Sequence, residues 1–93
     1  MKVPVEILDD SSNYVVLRTE GRRFPGIVFQ GDSLKNLVMI ANETREAIKK
    51  NDLEEAQGAA NELFDELLSR IQHYEQVMVR HGLELPYHQR FLK

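Results

Sequence analysis

Val3, Val5 and Ile7 alternate with Pro4 and Glu6, the period of two that a half-buried strand requires. Pro4 has no N–H to give a ladder, so it marks a strand start or a sheet edge. Asp9-Asp10-Ser11-Ser12-Asn13 is a cluster of turn formers. Tyr14-Val15-Val16-Leu17-Arg18-Thr19 is β-branched and aromatic and predicts a second strand. Residues 3–8 and 14–19 then form a hairpin with a longer loop. Glu20-Gly21-Arg22-Arg23 is the next turn, and Pro25-Gly26 sets a bend or bulge before a third strand, Ile27-Val28-Phe29-Gln30.

After Gly31 the period changes from two to between three and four. Asp32 or Ser33 is placed to cap a helix by accepting a bond from a free N–H of its first turn. Leu34, Leu37, Val38, Ala41 and Ile48 share one face, with Ile40 beside it. Lys49-Lys50 suits the negative end of the helix dipole, and Asn51 tolerates the left-handed conformation that stops it. Asp52-Leu53-Glu54-Glu55 has capping-box spacing, with Asp52 as the cap. From there no proline interrupts the chain before His81. Ala56, Ala60, Leu63, Leu67, Ile71, Tyr74 and Met78 recur at helical steps, and Phe64 and Leu68 widen the stripe. Gly58-Ala59-Ala60 is a small-residue patch that would admit another helix at close range. Gly82 after Arg80-His81 stops this helix, with Leu83 to pack back.

These elements predict an α+β fold: a three-stranded antiparallel sheet in the order β-β-β-α-α, two helices on one face, and the second helix long. One domain covers residues 1–93, with 83–93 as an extended tail. That tail either lies along the body through Leu85, Tyr87 and Phe91 or hangs loose. A second helix of about 30 residues is roughly 45 Å long, whereas strands of about six residues span only about 20 Å. Its excess length either packs on another copy or is shortened by a kink near Gly58. The first outcome makes a homodimer, with Leu63, Leu67, Ile71, Tyr74 and Met78 shared between core and interface.

Size sharpens that expectation: a 93-residue chain buries only about two-thirds of its unfolded surface, so association would help it. Hydrophobic residues at 42% and charged ones at 29% exclude a disordered chain. A net charge of −3 makes a nucleic-acid partner an unlikely expectation. With no cysteine, disulfides, thiolate metal sites and Cys nucleophiles are excluded. The start lacks the pattern of a signal peptide. No stretch approaches the roughly 20 apolar residues needed to span a bilayer. The expected location is the cytoplasm.

Candidate chemistry is sparse. His73 and His81 are two turns apart, too far to share an ion on one helix face, and His88 lies in the tail, so no metal is expected. Ser11, Ser12, Ser33 and Ser69 sit in no nucleophile elbow. Ser33 occupies a strand-to-helix junction, where a cap role suffices. An anion at that helix start would compete with Asp32. Glu54/Glu55 and Asp65/Glu66 fall on the polar side of an amphipathic helix, a solvated face rather than an acid–base pair. Arg22-Arg23, with Lys2 and Arg18, forms a small basic region fit for an acidic partner and too small for a nucleic-acid footprint. No catalytic residue, cofactor or metal is expected.

Residues 5–48 resemble the N-terminal domain of HicB-type antitoxins. The likeness lies in the hairpin, in Phe24-Pro25-Gly26-Ile27-Val28-Phe29-Gln30-Gly31-Asp32-Ser33-Leu34, and in Ala41-Asn42-Glu43-Thr44-Arg45-Glu46-Ala47-Ile48. The last element matches only in Ala41-Asn42 and Glu46-Ala47. The resemblance implies a three-stranded antiparallel sheet crossed by a helix, in a domain that binds a small ribonuclease toxin and blocks it. The chain departs from the family in having a long helix in place of the rest of that domain and no C-terminal DNA-binding segment. As a whole, with its Gly82-Leu83-Glu84-Leu85-Pro86-Tyr87 ending, it resembles small bacterial proteins without an assigned activity. The expected function is stoichiometric masking of a protein partner, antitoxin- or immunity-like. The partner surface would be the exposed sheet side and Arg18, Arg22 and Arg23. A structural or regulatory homodimer and a small-ligand domain are the alternatives.

Overall fold

A computed structural model describes residues 1–88. It contains β1 (Val5–Asp9), β2 (Val16–Thr19), β3 (Gly26–Ile27), α1 (Gly31–Lys49) and α2 (Leu53–Arg80). The fold is the expected α+β order, an antiparallel three-stranded sheet followed by two helices, of which the second has 28 residues and a length of about 42 Å. The chain forms two compact units: Met1–Val28 with the residues from Ile71 onward, and Phe29–Arg70. α2 contributes to both.

In the first unit β1 pairs with β2 through Val5↔Thr19, Glu6↔Arg18 and Ile7↔Leu17, and then Asp9 faces Val16. Leu8 is thus the extra residue of a bulge, where two residues oppose one. Asp9 closes the loop entrance by accepting from Ser11 N and Ser11 Oγ, and Ser12 Oγ accepts from Tyr14 N. Gly21, at φ 81°, occupies the third position of a turn in which Arg22 N donates to Thr19 O. β3 pairs through Val16↔Ile27 and Leu17↔Gly26, with one further bond from Val28 N to Val15 O.

The strands are shorter than the composition predicts. The third was expected over residues 27–30. It ends after Ile27, with Val28 N to Val15 O as the last bond to β2. Residue 30 is extended and serves as the cap position of α1.

The core of this unit is Val16, Tyr74, Val77 and Met78, packed by Leu8, Ile27, Ile71, Leu83 and Leu85. Burying each large side chain contributes about 1.5–3 kcal/mol. Tyr74 carries a hydroxyl into this core and donates it to Pro25 O at 2.7 Å, and burial raises its pKa. Gly82, at φ 66°, ends α2 as expected: its N–H reaches Val79 O, and Leu83 N reaches Met78 O. The tail follows the first of its two expected courses as far as it is described. Leu85 packs on the core and Tyr87 Oη donates to Glu75 Oε2 at 3.0 Å. Desolvation, then that carboxylate, push the Tyr87 phenol up. Phe91, also expected to pack, lies outside the described residues.

In the second unit α1 and the first turns of α2 bury Leu37, Ile40, Ala47, Ala56 and Ala59. The junction is compact. Asn51 stands at φ 57°, with Asn51 N bonded to Ile48 O and Asp52 N to Ala47 O. Asp52 then begins α2, as expected, by accepting from Glu55 N at 3.1 Å. The cap position of α1 is Gln30 and not the expected Asp32 or Ser33, although Asp32 does accept from a free N–H of the first turn. The helix starts two residues before Ser33, at Gly31, and the cap residue makes no side-chain bond to it. Asp32 accepts from Ser33 N and lends its charge to the first turn. α2 runs without interruption through Gly58, which faces open space, while Ala59 is buried.

Candidate functional site

The densest group of polar side chains is built on the β1 bulge. With Leu8 and Asp9 both opposing Val16, Leu8 packs in the core and the Asp9 carboxylate meets α2. Its Oδ1 accepts from Ser11, and its Oδ2 lies 3.4 Å from Arg80 Nη2 and 3.0 Å from His73 Nε2. The His73 nitrogen is buried but not aligned for a hydrogen bond, so this contact is electrostatic and strengthens when the ring is protonated. The Tyr14 ring meets the His73 ring edge-on at 5.8 Å, and His81 Nε2 lies 2.9 Å from Leu8 O. The bonds from Ser11 hold the Asp9 carboxyl below its usual range, helped by the charges of His73 and Arg80. Ser11 gives its proton to the carboxylate and not to the imidazole. The three therefore do not form a relay that would activate a nucleophile. The cluster acts as a clamp between β1 and α2.

The sheet has a second, open face. Val3, Val5 and Ile7 keep the expected alternation, but the side they share faces outward: they are 57%, 45% and 54% exposed. The core side belongs to Leu8, Val16 and Ile27. Leu17, opposite Ile7, is half-buried. Among the described residues β1 is also an edge strand, paired with β2 alone.

The three arginines of the expected partner surface separate. Arg18 is engaged: its Nη2 is 2.6 Å from Glu6 Oε1, and its Nη1 donates to Arg23 O. Arg22 is exposed. Arg23 is exposed too, with its guanidinium 5.0 Å over the Phe24 ring and 3.9 Å from Glu84. Of the three, Arg22 and Arg23 are the exposed ones.

The residues expected to serve core and interface also divide. Tyr74 and Met78 are buried and Ile71 packs on them, so these three belong to the core of their own chain. Leu63 and Leu67 instead line a shallow groove of about 420 Å³ with Ala41, Thr44, Ala60 and Phe64. Phe64 is 43% exposed and Leu67 44%. At the far end of the same unit Arg70 is buried, bonded to Glu66 O and Glu66 Oε2, with its guanidinium 5.3 Å over Phe29. Sequence reasoning had not singled out Asp9, Arg80, Phe29 or Arg70. The signal that points to the buried arginine is its position on the apolar stripe four residues after Glu66.

Among the described residues no group of three His, Asp or Glu side chains converges to hold a metal ion. No described helix is long and apolar enough to cross a membrane. No curated protein and no solved structure shows significant similarity to the chain. A family model does match, over residues 1–87, nearly the whole chain including both helices. The chain therefore belongs to DUF6959, a family of unknown function.

Proposed function

We propose that this chain is a non-catalytic protein-binding module of the cytoplasm that masks a partner stoichiometrically, antitoxin- or immunity-like, through the open face of its sheet. The observation that carries this reading is the outward side of β1, where Val5 and Ile7 stand about half exposed beside an unpaired strand edge. Isolated exposed apolar side chains need no explanation, but an aligned set on a sheet edge is a surface that folded proteins normally cover or blunt. The resemblance of residues 5–48 to HicB-type antitoxin domains supports the same reading, because such domains act by covering a toxin. A fitting partner has an apolar patch or a free strand for β1 and carboxylates for Arg22 and Arg23.

The test is capture of neighbouring gene products by the tagged chain, with Ile7→Asp and Arg22→Glu as controls. Both positions are exposed, so the variants should fold. Recovery of one protein in equal amount by the native chain, lost with Ile7→Asp and weakened with Arg22→Glu, is expected. Recovery at background, or equal recovery by Ile7→Asp, would refute it.

A further inference from the structure

The helical unit leaves a different apolar surface uncovered, and it does not depend on the sheet face. On α1, Leu34, Val38, Ala41 and Ile48 fall at helical spacing within one narrow stripe. Leu34, Val38 and Ile48 are 51%, 53% and 57% exposed. On α2, Leu53, Ala60, Phe64 and Leu67 make the matching stripe, and Leu53 is 76% exposed. Ala41, Ala60, Phe64 and Leu67 line the same groove, so the two stripes flank it on one side of the hairpin. The buried seam lies around the corner on each helix, at Ala47, Ala56 and Ala59. A solvated helix pair needs one apolar stripe per helix; these helices carry a second.

We infer that this groove is a self-association face, occupied by a second copy of the chain so that the two hairpins form a four-helix bundle. Three features favour a second copy. First, the two borders of the groove are complementary to each other. Next to the α1 stripe stand Arg45, Lys35 and Lys49, whose Nζ is also 3.3 Å from Glu46 of its own chain, whereas Glu54 and Asp65 border the α2 stripe. Second, a two-fold axis parallel to the helices lays α1 of each copy on α2 of the other, so basic meets acidic twice. Because the hairpin closes at Lys50–Asp52, that axis keeps residues at their level and sets Lys49 beside Glu54 of the second copy. Third, the face is large enough. Leu53–Arg70 is about 27 Å long and two helices are about 20 Å wide, a plan area on the order of 500 Å². Side-chain relief raises the accessible area toward the ~800 Å² per partner of a standard interface, about a tenth of the 7321 Å² exposed by the chain.

Sedimentation equilibrium of the full chain, from low micromolar to near-millimolar concentration, tests this. The mass is expected to rise to twice that of one chain. Val38→Glu and Phe64→Glu, at exposed positions on the α1 and α2 stripes, are each expected to hold it at the mass of one chain without loss of far-UV helicity. Lys49→Glu and Glu54→Lys are each expected to weaken association about two- to five-fold. Combined, they should restore it, which a merely destabilised fold would not do. A native chain that stays monomeric throughout would overturn the inference. So would full dimerisation of Val38→Glu, failure of the combined charge exchange to restore association, or loss of the dimer on Ile7→Asp, which alters only the sheet face.

Discussion

In the sheet unit the buried positions belong to large side chains, Val16, Tyr74, Val77 and Met78, and the Tyr74 hydroxyl carried in with them is bonded to Pro25 O. In the helical unit three of the buried positions are alanines, and leucine and phenylalanine side chains stand in the open groove. Both units draw on the same helix, α2, whose apolar stripe is continuous. The difference lies in what faces the stripe. From Ile71 onward the sheet and the tail wrap it. Before Arg70, among the described residues, α1 does, and it covers one side. A continuous hydrophobic pattern is therefore not evidence of a continuous core. Where small residues fill the seam, the larger ones beside them are left for another surface.

Truncation should break this symmetry of pattern most clearly. Met78→Ala is expected to cost about 2–5 kcal/mol, since the site is fully enclosed. Leu67→Ala, on the same stripe, should cost under about 1 kcal/mol in dilute solution, because its side chain is nearly half exposed. Urea unfolding of the two variants gives the comparison directly, and equal losses would remove the distinction between the units. Tyr74→Phe follows: it strands the Pro25 carbonyl in the core and is expected to cost about 1–3 kcal/mol. Thermal melts should show it as a lower midpoint with an unchanged fold.

Gly82→Ala should cost about 1–2 kcal/mol, since alanine must hold φ 66° there. Asn51→Gly at the other helix stop should be nearly neutral, because glycine accepts the same backbone conformation without strain. The smallest effect is that of pH on the Asp9 clamp. Its folded pKa lies below the ordinary 3.8, so the unfolded chain binds the proton more readily. The stabilisation is complete above that value and is lost as pH falls through the lower folded one. Unfolding measured across the acid range should show a shallower decline for Asp9→Asn than for the native chain.

The helices were legible because their signals are local. α2 is announced by its stripe, by Asp52 at its start and by Gly82 at its end, and each of these depends on residues within a turn or two. The sheet was legible in order but not in orientation. Alternation placed Val3, Val5 and Ile7 on one side of a strand without saying which side faced the core. The opposite side won because the bulge at Leu8 turns Leu8 and Asp9 together toward α2. The side-chain contacts that fix the sheet on α2 join residues far apart in the chain, Asp9 with Arg80 and Pro25 with Tyr74. Neither partner carries a pattern that announces the other. The same limit hid the pairing of Arg18, whose guanidinium is held by Glu6 across the hairpin.

The contrast between a closed unit and an open one is tested most directly by amide hydrogen exchange of the native chain at low and high concentration. Exchange through local opening should slow at high concentration in α1 and in Leu53–Arg70, and stay the same in Ile71–Arg80 and the strands. A uniform change along α2, or slowing confined to β1, would contradict it.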